Sequence, residues 1–301
     1  MKPDWLETNE YPFKSKFLEL EAGRMHYIDE GEGHPIVMIH GTPSWSFVYR
    51  NLIKLLSKKY RCVALDLIGF GLSDKPKDWS YKPRAHAANF EQLMAHLGLN
   101  NITLLVHDFG APIGLAYAIK HPEKVRSIVM LNTWTWSLSN HQVFSKASKY
   151  LIGPLGKFLH SKLNLTTDQL VHELFGQESN MPEKLKDQYT LALGGPDETV
   201  SSLACARELV GVSKWYDELW KERKKIQDIP TLILWGERDK LVKIEALQRW
   251  KKFFHECYVL HFEDSGHFLM EEHADEVAQY VSNFIKEEDK KKEKTLHQTQ
   301  T

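Results

Sequence analysis

Val106-His107-Asp108-Phe109-Gly110-Ala111 joins the apolar run Ile102-Thr103-Leu104-Leu105-Val106 to a helix-like segment opening near Pro112-Ile113-Gly114. A buried strand that turns sharply into a helix needs small residues at the bend. The geometry pushes the central side chain out of the turn, as in a nucleophile elbow. Here the central residue is Asp108. A carboxylate is already ionised at neutral pH, and the start of the following helix favours its charge. It can therefore displace a leaving group from an sp³ carbon without a base to activate it, giving an ester that water must later break. Alone, the hexapeptide reads as well as a helix N-cap.

On either side of this stretch lie further short apolar runs bounded by turn residues. They are Ile36–Ile39, Cys62–Leu65, Ser127–Leu131, Thr231–Trp235 and Cys257–Leu260. Runs apolar on both faces suit strands of a parallel sheet, and the spacing between several of them leaves room for crossover helices. Phe17–Leu20 and Met25–Ile28, around Glu21-Ala22-Gly23, read as an opening hairpin. The pattern predicts an α/β chain with a mostly parallel, doubly wound sheet. It lapses between Thr133 and Asp228, where helix-like stretches such as Asp168–Leu174 and Val200–Leu209 occur without a comparable β run. The expected organisation is a core over 1–132 and 229–286, with a helical cap inserted over 133–228. The charge run from Glu287 to Lys294 predicts a frayed helix end passing into a disordered tail over 287–301.

At 301 residues the chain is long enough for one large domain with an insertion. A net charge of −1, with no basic stripe, excludes an electrostatic footprint for nucleic acid or an anionic membrane. No run approaches the roughly 18 apolar residues of a membrane helix, and Met1–Trp5 starts no signal-peptide core. A cytoplasmic protein, monomeric or weakly homo-oligomeric, is the expectation. Cys62, Cys205 and Cys257 are scattered without ligand spacing, so reduced thiols are expected and no metal site.

Two elements turn the elbow from a cap into a candidate site. Asp239 follows the run ending at Trp235, and His267 lies in the loop Asp264-Ser265-Gly266-His267-Phe268 after the last run. Both positions fall at the carboxyl edge of the sheet, beside the elbow. The order nucleophile, acid, histidine is that of the α/β-hydrolase fold. The loop His40-Gly41-Thr42-Pro43 closes the first parallel strand, so the amides of Thr42 and Phe109 are the expected oxyanion donors. His40 reads as structural.

The stretches His40–Arg50, Asp66–Pro76 and His107-Asp108-Phe109-Gly110 resemble the haloalkane dehalogenase family, over a core from about 17 to 285 and more weakly in the cap. The resemblance implies cleavage of a carbon–halogen bond without cofactor or metal. Asp108 would be the nucleophile, His267 the base for water and Asp239 the acid that orients the imidazole. Some branches carry the acid after the strand preceding the cap, where this chain has Asn132. Two departures touch the leaving-group site: Phe109 stands where the family has a Trp, and Thr42 where Asn or Glu is common. Trp134, Trp136, Trp215 and Trp220 could restore an N–H from the cap side.

An epoxide hydrolase would use the same triad with two cap tyrosines on the substrate oxygen, for which Tyr150, Tyr189 and Tyr216 are available. The substrate is expected to be a small apolar halide or epoxide. Strained lactones are a further class that an Asp nucleophile can open, and fluoroacetate is disfavoured because no arginine pair follows Asp108. A non-catalytic binding homologue is the remaining alternative, with no need for a base facing a carboxylate.

Overall fold

Every apolar run named above becomes a strand in the computed structural model, which describes residues 3–137, 182–193 and 213–299. The strands are β1 (Lys16–Leu20), β2 (Gly23–Glu30), β3 (Pro35–Ile39), β4 (Arg61–Leu65), β5 (Ile102–His107), β6 (Val125–Leu131), β7 (Thr231–Gly236) and β8 (Cys257–Phe262). They form one sheet in the order β1-β2-β4-β3-β5-β6-β7-β8. Only the β1–β2 and β2–β4 pairings are antiparallel, so the opening hairpin supplies one edge of an otherwise parallel sheet. β5 and β7 are buried along their whole length, as strands covered on both faces must be. β8 departs from that expectation. It is the far edge and is only half covered, with Tyr258 39% exposed.

Helices α1 (Arg50–Leu56), α2 (Pro83–Leu97) and α3 (Gly110–Lys120) provide crossovers between the parallel strands. α3 starts two residues before the expected Pro112, because a proline in the first turn lacks only an N–H that has no partner there anyway. The insertion between β6 and β7 carries the helices Glu183–Leu191 and Ser213–Glu222 and no strand among the described residues. The stretches Asp168–Leu174 and Val200–Leu209 lie outside the described residues. No helix among those described is long and apolar enough to cross a membrane.

The expected disordered tail is corrected by the structure, which carries one helix from Ala274 to Thr299. Val277, Val281, Phe284, Ile285 and Glu288 form a buried stripe at helical spacing. The charges beyond it find partners on the sheet's lower edge. Asp289 pairs with Arg126 at 2.5 Å, Lys291 pairs with Glu256, and Lys292 donates to Asn101 at 3.0 Å. Cys62 is buried and Cys257 partly so. Both are free thiols, which burial pushes up to about 12 and about 11 respectively. Cys205 lies outside the described residues.

Candidate active site

The carboxyl ends of β5, β6, β7 and β8 converge on one point. β5 ends at His107, and Asp108 follows with φ 47°, the left-handed region that non-glycine residues seldom occupy. The bend is tight because α3 sits directly against β3. A Cβ at Gly110 would lie 2.2 Å from the Ile39 carbonyl, and one at Gly41 would lie 2.3 Å from the Asp108 Cβ. Thr133, just beyond β6, donates its hydroxyl to the Asp108 carbonyl at 2.6 Å and steadies the strained residue from behind.

The Asp108 carboxylate is 1% exposed and has two unlike oxygens. Oδ1 accepts the Thr42 amide at 2.9 Å, the donor expected from the loop after β3. Oδ2 has no hydrogen-bond partner among the described residues and faces His267 Nε2 at 3.5 Å. No hydrogen bond reaches the carboxylate from Phe109, whose buried ring packs edge-on to His86 with centroids 6.1 Å apart. Of the two expected amide donors, the structure brings only Thr42 to the acid.

His267 is fully buried, and its Nδ1–H donates to Asp239 Oδ2 at 2.7 Å. Asp239 lies just past β7, where three further donors hold its carboxylate. The Leu241 and Val242 amides reach Oδ1 at 2.7 and 2.9 Å, and the Asn132 amide reaches Oδ2 at 2.8 Å. Burial works to raise the Asp239 pKa, but His267 and these amides outweigh it and hold the acid ionised. Burial likewise opposes a charge on His267, yet carboxylates on both sides raise its pKa to about 10. The two flanking carboxyl groups therefore favour a proton on the imidazole in the resting site.

Two further residues position the triad, and nothing in their local sequence marks them. Asn132, directly after β6, has φ 26°, donates to Asp239 and to the Gly236 carbonyl, and accepts the Gly236 amide at 2.8 Å. The position that carries the acid in other branches here orients the acid. His107, beside the nucleophile, donates Nε2–H to the His267 carbonyl at 2.9 Å. Burial holds its own pKa down to about 3, so it remains neutral. His107 lies in the elbow hexapeptide and Asn132 directly after an apolar run, but only their partners reveal a role. His40 is structural as expected, donating Nδ1–H to the Gly41 carbonyl and accepting the Leu67 amide at Nε2.

The cap-side candidates divide. Trp134 is buried, and its indole N–H has no partner among the described residues. Trp136 and Trp220 are instead used in packing. They pack edge-on or tilted with each other and with Trp250 at 5.1–5.6 Å between centroids, and the Arg249 guanidinium lies over both. Trp215 packs on the buried Tyr216. Tyr189 turns its hydroxyl to Glu271 and so is committed elsewhere. Tyr150 lies outside the described residues. No group of three or more His, Cys, Asp or Glu that could hold a metal occurs among the described residues.

A carboxylate with one oxygen tethered by an amide and the other facing an imidazole backed by a second acid can be alkylated, and the ester then hydrolysed. A family model described as alpha/beta hydrolase fold matches residues 34–274. The chain is 32% identical over 285 residues to a Cis-3-alkyl-4-alkyloxetan-2-one decarboxylase of Shewanella oneidensis, covering 92% of this chain and 89% of that protein. It is 30% identical over 276 residues to Haloalkane dehalogenase 2 of Mycobacterium bovis, covering 89% of this chain and 93% of that one. The crystal structure of the haloalkane dehalogenase DatA from Agrobacterium tumefaciens superposes with a TM-score of 0.82 at 23% identity, over 91% of this chain and 97% of that one. That likeness bears on the fold alone. With the elbow, the Asp–His–Asp geometry and these relatives together, the chain belongs to the haloalkane dehalogenase-like family of the α/β-hydrolase superfamily, in the branch whose nucleophile is an aspartate.

Proposed function

We propose that the substrate is a small apolar haloalkane, hydrolysed in two steps. The reading is carried by the pairing of Asp108 Oδ2 with His267 Nε2 while Oδ1 stays tied to Thr42. In the first step Oδ2 attacks the carbon bearing the halogen. A C–O bond forms, the carbon–halogen bond breaks, and halide leaves with the electron pair. In the second step water attacks the Asp108 carboxyl carbon, giving its proton to His267. The Thr42 amide stabilises the oxyanion, the alkyl oxygen leaves as the alcohol with that proton, and the carboxylic acid so formed passes its remaining proton to His267 as the carboxylate is restored.

Charge makes the histidine change roles. While Asp108 is ionised, His267 sits between two anions and holds its proton. Alkylation removes one of those anions, so the imidazole releases its proton more readily when a base is required. The halide itself needs a donor that Phe109 lacks. Trp134 supplies one: its indole N–H is buried, has no partner among the described residues, and follows Thr133, which is bonded to Asp108.

A strained four-membered lactone is a second reading, favoured by the relative named for decarboxylating a dialkyl oxetan-2-one. Such a ring presents an electrophilic carbon with a carboxylate leaving group, which needs no halide donor at Phe109. Epoxide opening loses support, because the Tyr189 hydroxyl is bound to Glu271. The deciding experiment incubates wild type and Asp108→Ala with 1-bromobutane and with a 3,4-dialkyl oxetan-2-one. Bromide release that vanishes in the variant supports the first reading. Release of CO₂ without bromide turns the assignment to the lactone, and no turnover of either refutes both.

A further inference from the structure

Tyr189 stands on the helix Glu183–Leu191 of the insertion and is fully buried. Its hydroxyl donates to Glu271 Oε1, and Arg50 of α1 donates to the same oxygen. The side chains of Arg50 and Glu271 are 3% and 2% exposed, so this charge pair is shut away from water. Arg50 is held in turn by the Phe47 carbonyl at 3.1 Å and lies 4.0 Å over the Phe47 ring. The Tyr189 ring packs against Phe47 at 5.7 Å and against Phe268 at 5.8 Å. Glu271 belongs to the helical turn Leu269–Glu272, which follows His267-Phe268 directly. The cap helix, α1 and the histidine loop therefore meet at one buried carboxylate.

The same helix is tied to the core at the adjoining residue. Gln188 accepts the Glu7 amide at 3.0 Å and donates to the Trp5 carbonyl at 2.8 Å, while its own carbonyl accepts the Trp45 indole at 2.9 Å. A buried ion pair adds little net stability, since desolvation offsets the attraction, but it restricts geometry strongly. In this site geometry matters unequally to the two steps. Alkylation needs Asp108 Oδ2 and a donor for the halide but no aimed imidazole, whereas hydrolysis of the ester needs His267 Nε2 aimed at a water molecule.

We infer that Tyr189 is a positioning residue for the second step: through Glu271 it holds the turn that fixes His267 over the ester. This assignment rests on the two-step ester mechanism and extends it by giving a cap residue a part in one half-reaction. The test is Tyr189→Phe in the full chain, followed by rapid quench with 1-bromobutane and intact-mass measurement. Alkylation should keep its wild-type rate while ester hydrolysis slows about ten- to a hundredfold, the scale of a small misplacement. A bromide burst near one equivalent per enzyme and an accumulated alkyl adduct are then expected. Glu271→Gln keeps the size of the side chain and an acceptor for the phenol, so it tests the same turn independently and should also show the burst. Both steps slowing equally, or no burst in either variant, overturns the assignment. Failure of His267→Gln to gain an alkyl mass overturns the ester mechanism itself.

Discussion

Asp239→Asn removes one negative charge from the inner side of His267 while conserving volume. The Asp239 and His267 side chains are 1% and 0% exposed and 2.7 Å apart. Two unit charges about 4 Å apart, at an effective dielectric near 20, attract by about 4 kcal/mol. That equals about three pK units, the scale of the rise in His267 from 6.5 to about 10. Hydrogen bonding compounds the loss. The asparagine oxygen would stay with the Leu241 and Val242 amides, leaving its NH₂ toward both His267 Nδ1 and the Asn132 amide. The imidazole must then accept at Nδ1 and carry its proton on Nε2, the nitrogen that should take the proton from water. Ester hydrolysis should fall about a thousandfold, since each 1.4 kcal/mol is about tenfold in rate, while alkylation by Asp108 continues. Rapid-quench bromide release and intact-mass spectrometry separate the steps: one equivalent of bromide appears quickly and the alkyl adduct persists. Turnover within tenfold of wild type, or bromide release abolished with no adduct, would refute this account of the acid.

Trp134→Phe deletes the buried indole N–H and should slow alkylation about a hundredfold, the scale of one lost leaving-group donor. An unchanged pre-steady-state bromide rate would remove Trp134 from the site. Stability should fall steeply in acid, because burial lowers the pKa of His86 and His107 to about 3. The folded state refuses protons that the unfolded chain accepts, so their contribution is full above about pH 6.5 and is lost as pH falls toward 3. From pH 6 to pH 4 the two together remove about 5 kcal/mol, at about 1.4 kcal/mol per pH unit each. Urea titration of His86→Phe should recover about half of that loss, and an unaltered slope would show that His86 is not held neutral.

Much of this was legible from residue types alone. Strand runs announce themselves because a strand buried on both faces must be apolar throughout, as β5 and β7 are. The elbow is legible because a tight approach to β3 tolerates only small side chains such as Gly110 and Gly41. The helix Ala274–Thr299 was misjudged from Glu287 onward. A charge run looks solvated unless its partners Arg126, Glu256 and Asn101 are known to lie beside it. Tyr189 differs from its sequence expectation for a related reason: a cap tyrosine suits a substrate oxygen, and nothing local foretells a carboxylate 82 residues away.

Local chemistry, then, was enough to name the nucleophile, its base and its acid, because each sits next to a strand end that hydrophobic patterning marks. Folding settled the rest: which carboxylate oxygen faces the imidazole, which indole N–H lacks a partner among the described residues, and that Asn132 and His107 serve the acid and the base. These depend on contacts between segments distant along the chain, and a hydrogen bond between such segments leaves no periodic trace in either one.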